Sequence, residues 1–196
     1  MAIITTDLIT KLFTSARSGL KSGIDHMTFM KGYIDTAHYM IHQGVHFFDV
    51  RSAVVGNGSN FYHLIKTPAF GSANVACHWE YDIQYTLTCD LEIYEGVTGT
   101  DPADTPLNSC RFSTTTSECL CDDATSGYTG GTLLEKFLLG STTASPRAIG
   151  NSVARDDEII LKPSTIYAIK ITSNAAGNRI ATRMLWYEAG SNVYGV

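Results

Sequence analysis

From Trp79 to Ile93, apolar and polar residues alternate without a break. Trp79, Tyr81, Ile83, Tyr85, Leu87, Cys89, Leu91 and Ile93 are apolar, and Glu80, Asp82, Gln84, Thr86, Thr88, Asp90 and Glu92 lie between them. A period of two puts one set on each face of a β-strand, whereas a helix would scatter both around its circumference. At ~3.3 Å per residue the run would span roughly 50 Å, well beyond a usual strand. It therefore reads as two strands joined near Tyr85 to Thr88, or as one strand bent across two sheets. On this reading Trp79, Tyr81, Ile83, Leu91 and Ile93 mark the core. So does Trp186, which shares a face with Ile180 and Met184.

Other segments carry strand signals. Residues 46–53 and 61–67 read as strands around Gly56, Asn57, Gly58, Ser59 and Asn60, a set that tolerates positive φ and predicts a hairpin turn. Residues 158–161 run into a turn at Lys162, Pro163 and Ser164, and residues 166–172 and 180–187 are β-rich with a tight link at 175–178. Residues 96–132 are turn-rich, with a short strand expected at 110–113. Residues 133–139 suit a strand or a helical turn, and 140–157 read as an exposed loop. About eight strands separated by turns predict an all-β, jelly-roll-like antiparallel β-sandwich over residues 46–196.

Residues 1–45 differ and read as an N-terminal arm, partly helical or extended. Leu8, Ile9, Leu12, Phe13, Ala16 and Leu20 recur at helical spacing. Met27, Met30, Ile34, Ala37 and Ile41 continue a helical seam, with Gly32 in its middle. An exposed apolar arm needs a cover, so Leu8, Leu12 and Phe13 are the expected partner contacts.

Composition excludes several functions. The net charge is -5 and the 14 basic residues are dispersed, so nothing concentrates positive charge for nucleic acid. No apolar run approaches the ~20 residues of a membrane span. Charged residues make up 17%, below the usual ~25%, which suits a chain packed against partners. The N-terminus lacks the basic and apolar regions of a signal peptide. The five cysteines include no Cys-x-x-Cys and no zinc spacing; they read as reduced, with assembly in a cytosol.

Chemistry is sparse. His38, His42 and His46 stand at i, i+4 and i+8, but Gly44 interrupts the helix that would align them for a metal, so hydrogen-bonding roles are expected. The pairs Asp82/Glu92 and Asp156/Asp157 have the composition of glycosidase acids, but the first lies on the polar face of the alternating run and reads as solvated charge. Asp101, Asp104, Asp122 and Asp123 lie among turns without EF-hand spacing. No nucleophile elbow, phosphate loop or dinucleotide fingerprint occurs. No enzyme, metal or cofactor is expected.

Five stretches, taken in order, carry a resemblance: Ile41-His-Gln-Gly-Val-His-Phe47, Leu91-Glu-Ile-Tyr-Glu-Gly96, Gly131-Thr-Leu-Leu134, Ile159-Ile-Leu-Lys-Pro-Ser-Thr-Ile-Tyr167 and Trp186-Tyr-Glu188. Their order resembles tailed-phage jelly-roll capsid decoration (cement) proteins, over roughly residues 38–188. The family's Asn-Arg-Asn-Arg-like stretch is reduced here to Asn108 and Arg111, and the arm is longer than the shared core. The resemblance implies a virion protein, assembled in the host cytoplasm. It would bind the major capsid protein on the shell's outer surface as a homo-oligomer, a trimer first and a dimer second. The alternative is a receptor- or glycan-binding module of a head or tail fibre, with Tyr128 as its candidate stacking residue.

Overall fold

The computed structural model describes residues 21–24, 31–34, 36–69, 75–140, 149–152 and 158–190. Two antiparallel sheets form a sandwich. Along the chain the elements are β1 (Lys21–Ile24), β2 (Lys31–Ile34), α1 (Thr36–His42), β3 (His46–Val55), β4 (Asn60–Lys66), β5 (Val75–Tyr85) and β6 (Cys89–Glu95). Then follow β7 (Leu107–Asn108), β8 (Leu120–Ala124), β9 (Thr132–Leu139), β10 (Ile149–Ser152), β11 (Ile159–Leu161), β12 (Ile166–Ser173) and β13 (Asn178–Gly190).

The first sheet runs β10-β5-β13-β3-β7, with β11 sharing the β10 edge of β5; the second runs β8-β4-β12-β6-β9. Without the short additions β7 and β8, this leaves four strand positions facing four. Most connections cross between the sheets, while β6 and β9 are neighbours in one. This is the rolled-up Greek-key order of a jelly roll.

The alternating run divides where expected. β5 lies in the first sheet and β6 in the second. The corner between them is clamped by buried Asn178, whose Oδ1 accepts from the Leu87 amide at 2.9 Å and whose Nδ2 donates to the Leu87 carbonyl at 3.1 Å. Leu87 itself turns outward, while Trp79, Tyr81, Ile83, Tyr85, Cys89, Leu91 and Ile93 are buried. Trp79 and Trp186 are register partners in neighbouring strands and both lie in the core. Facing them from the second sheet are Phe61, Ile65, Leu91, Ile93, Tyr167, Ile169 and Ile171. Each such side chain contributes roughly 2 kcal/mol by leaving water.

Four local readings are corrected. The turn at 56–60 does not close a hairpin: β3 pairs with β13 and β7, and β4 with β12 and β8. Gly58 (φ +70°) instead carries the chain between sheets, its amide donating to Ser173 O at 2.8 Å. The expected strand at 110–113 is a turn closed by Ser113 N on Cys110 O at 2.9 Å; the strand nearby is β7. Residues 140–157 contain β10, which pairs with the end of β5. The helical seam 27–41 is broken, because residues 31–34 pair with 21–24 as a hairpin and α1 begins only at Thr36.

α1 ends on Gly44 (φ +71°), with Gly44 N donating to Ile41 O at 2.9 Å and Val45 N to Met40 O at 3.1 Å. That is a Schellman stop, sealed by the contact of Val45 with Met40. Met40 packs on Tyr187, on the outer face of the first sheet. The outer face of the second sheet is covered by the long β6–β9 connection, where Val97 and Tyr128 pack over Tyr62, Leu64 and Ala168.

Candidate functional site

β9 is the feature the packing does not consume. It forms one edge of the second sheet, and among the described residues it is paired only to β6. Its sequence, Thr-Leu-Leu-Glu-Lys-Phe-Leu-Leu, lacks alternation. A bulge between Ile93 and Tyr94 sets Leu133 opposite Tyr94, and beyond it Phe137 lies opposite Leu91 and Leu138 opposite Asp90. Apolar groups therefore stand on both faces: Leu133, Leu134, Phe137 and Leu138 are 46%, 38%, 41% and 78% exposed. A long edge strand with open backbone groups and apolar side chains is a template for another chain, and soluble proteins usually blunt such edges.

The strand is held firmly from its paired side. Lys136 Nζ donates to Glu92 Oε1 at 2.7 Å, and Lys170 Nζ to Glu92 Oε2 at 2.9 Å. These two hydrogen bonds hold the Glu92 carboxyl down at about 2. Glu92 is thus not the solvated charge expected of it but the buried centre of a three-residue clasp, and Asp82, its supposed partner, lies in the other sheet. Glu135 accepts from the Tyr81 hydroxyl across the sandwich. Gly131 and Gly140 bracket the strand at φ +90° and +95°.

A second cluster fills the gap between the sheets near their other edge. His63 of β4 has Nε2 at 2.9 Å from Asp49 Oδ2, and Nδ1 at 2.7 Å from the Thr182 hydroxyl. Arg51 donates to Asp49 at 2.6 Å, Asp104 at 2.9 Å and Asp123 at 3.1 Å. Burial lowers the His63 pKa despite the nearby Asp49. Burial works to raise Asp49, and its hydrogen bonds to His63 and Arg51 overcome that and lower it. The neutral imidazole then donates to Asp49 and accepts from Thr182. A hydroxyl, an imidazole and a carboxylate in line have the composition of a nucleophile relay. Here His63 is 0% and Thr182 1% exposed, so the hydroxyl is shut off from any substrate. The cluster ties β3, β4 and β13 together across the core.

The other expected residues are dispersed. Leu8, Leu12 and Phe13 lie outside the described residues, as do Asp156 and Asp157. His38 and His42 meet at 3.0 Å on exposed α1, but His46 is buried in β3 and bonds Ser109 Oγ at 2.8 Å. Asp101 pairs with Lys66, and Asp104 and Asp123 serve Arg51. The Tyr128 hydroxyl donates to Thr100 O at 2.6 Å and its ring lies 5.8 Å from that of Tyr62.

Comparison with protein-family models, curated proteins and solved structures finds no match.

The sequence leaves residues 133–139 open between a strand and a helical turn, because a period of two marks strands with one wet face and β9 carries apolar side chains on both faces. Its signal is an octet with five apolar residues, set between two glycines, Gly131 and Gly140.

Proposed function

We propose that this protein is a capsid decoration (cement) protein of a tailed phage, docking on the major capsid protein and on sister copies from the outside of the shell. The observation that carries this reading is β9, an ordered edge strand with apolar side chains on both faces and its outer backbone edge open among the described residues. Strand addition at such an edge supplies main-chain hydrogen bonds and pockets for alternate side chains. The jelly-roll order and the resemblance over residues 38–188 point the same way. An interface of roughly 1,000 Å² per contact, repeated over many copies, would resist shell expansion through multiplicity. Closed cyclic assembly fits, a trimer first.

Purified protein mixed with undecorated capsids should co-sediment and raise the temperature at which the shells open. Protein left wholly in the supernatant, with shell melting unmoved, would remove this reading. The fibre-module alternative has a weaker foothold. Tyr128 is engaged in packing, and the fully exposed aromatic of that region is Phe112, at a loop tip. Retention on a glycan array would favour it.

A further inference from the structure

We propose that Cys77 and Cys119 are a redox pair, reduced when the chain folds and closed to a disulfide once it meets an oxidising, disulfide-containing medium. Their sulfurs lie 3.1 Å apart and both residues are buried. Closing to a bond needs about 1 Å of approach. Cys119 is already held for it. Its amide donates to Ser117 Oγ at 3.0 Å and Glu188 Oε1 at 3.4 Å, and the Glu118 amide donates to Glu188 Oε2 at 3.0 Å. Glu188 of β13 is the register partner of Cys77 in β5, so one carboxylate docks the crossing segment on β13 directly beside the strand that carries the other sulfur.

A metal is the competing use, since the two sulfurs and a Glu188 oxygen lie within 4.8 Å of one another. But that carboxylate is already committed: besides the amides, it accepts from Trp186 Nε1 at 3.0 Å and from the Ser117 hydroxyl. Two thiolates without a free third ligand make a poor zinc site.

The chemistry balances with oxidised glutathione as the oxidant. In a locally opened chain, one cysteine thiolate attacks a glutathione sulfur and releases one glutathione thiolate. The second cysteine thiolate attacks the mixed disulfide at the protein sulfur and releases the other. The pair loses two electrons and two protons, and two glutathione thiols form. The bond would close a loop between residues 42 apart, joining β5 to the segment that leads into β8.

The test incubates the folded protein with oxidised glutathione, denatures it with alkylating reagent present, and maps the peptides by mass. Two of the five thiols should become unreactive, in a single Cys77–Cys119 cross-linked peptide. The melting temperature should rise on the order of 10 °C and fall back with dithiothreitol. C110S should behave like the parent, and C77S and C119S should show neither the cross-link nor the shift. The peptide map of the parent needs no variant to fold. Five reactive thiols after oxidation, a link through Cys110 instead, or one tightly held zinc ion per chain would overturn the proposal.

Discussion

The imidazole of His63 and the carboxylate of Asp49 meet 2.9 Å apart in the space between the two sheets, each from a different sheet. Arg51 closes on the same carboxylate from the rim. Removing the anion leaves the buried His63 ring N–H without its acceptor, and leaves Arg51 with Asp104 and Asp123 only. Asp49→Ala should therefore cost about 1–3 kcal/mol, measured by urea denaturation. Asp49→Asn, which keeps a carbonyl acceptor for His63, should cost less. Equal loss in both variants would mean that shape, not charge, holds the cluster.

Acid should destabilise the fold in two steps. Burial, and then Arg183, push the His46 imidazole down to about 4 from 6.5. Between those values the unfolded chain binds a proton that the folded chain refuses. Stability is thus complete above pH 6.5 and declines as pH falls toward 4. Glu92, held at about 2 against 4.5 by Lys136 and Lys170, adds stability that is present above pH 4.5 and lost on the way to 2. Denaturation curves across this range should show both, and His46→Asn should reduce the proton uptake in the upper window by about one proton.

The glycines around β9 should resist substitution. A Cβ on Gly140 would stand 2.9 Å from Thr88 Cα, and one on Gly131 2.9 Å from Glu95 O, both in the left-handed region. Gly140→Ala and Gly131→Ala should each cost on the order of 1–3 kcal/mol. Hydrogen exchange should show the loss first in the amides of β9. Gly58→Ala, with open space around its Cβ, pays only the backbone strain and should cost less.

On the decoration reading, Leu138→Lys should sharply reduce co-sedimentation with capsids and shift any oligomer toward monomer. Its own melting temperature should stay within a degree or two, because Leu138 is largely exposed. Unchanged co-sedimentation would move the contact elsewhere, and deletion of residues 1–20 would then test the arm.

Much of the sandwich was legible because its strands are amphipathic. Trp79 to Ile93 announces two strands, and Pro163 and the link at 175–178 announce turns. Turn residues encode a reversal but not the sheet the next strand joins, so residues 56–60 suggested a hairpin where the chain changes layer. β7 and β10 are too short for a period to register. Glu92 was misread because its two lysines come from strands distant in sequence, Lys136 in β9 and Lys170 in β12. The His63 cluster was unreadable for the same reason, its members lying 14 and 119 positions from the ring they serve.

The order of strands has a bearing on how copies are made. β13 lies between β3 and β5, and β12 between β4 and β6. The middle of each sheet is thus supplied by the last part of the described chain, so a growing polypeptide holds two half-built layers with gaps at their centres. Pairings this distant in sequence form slowly. A chain that stopped before Asn178 would leave β3 and β5 without their common neighbour, so truncated products would be excluded from any assembly by failing to fold.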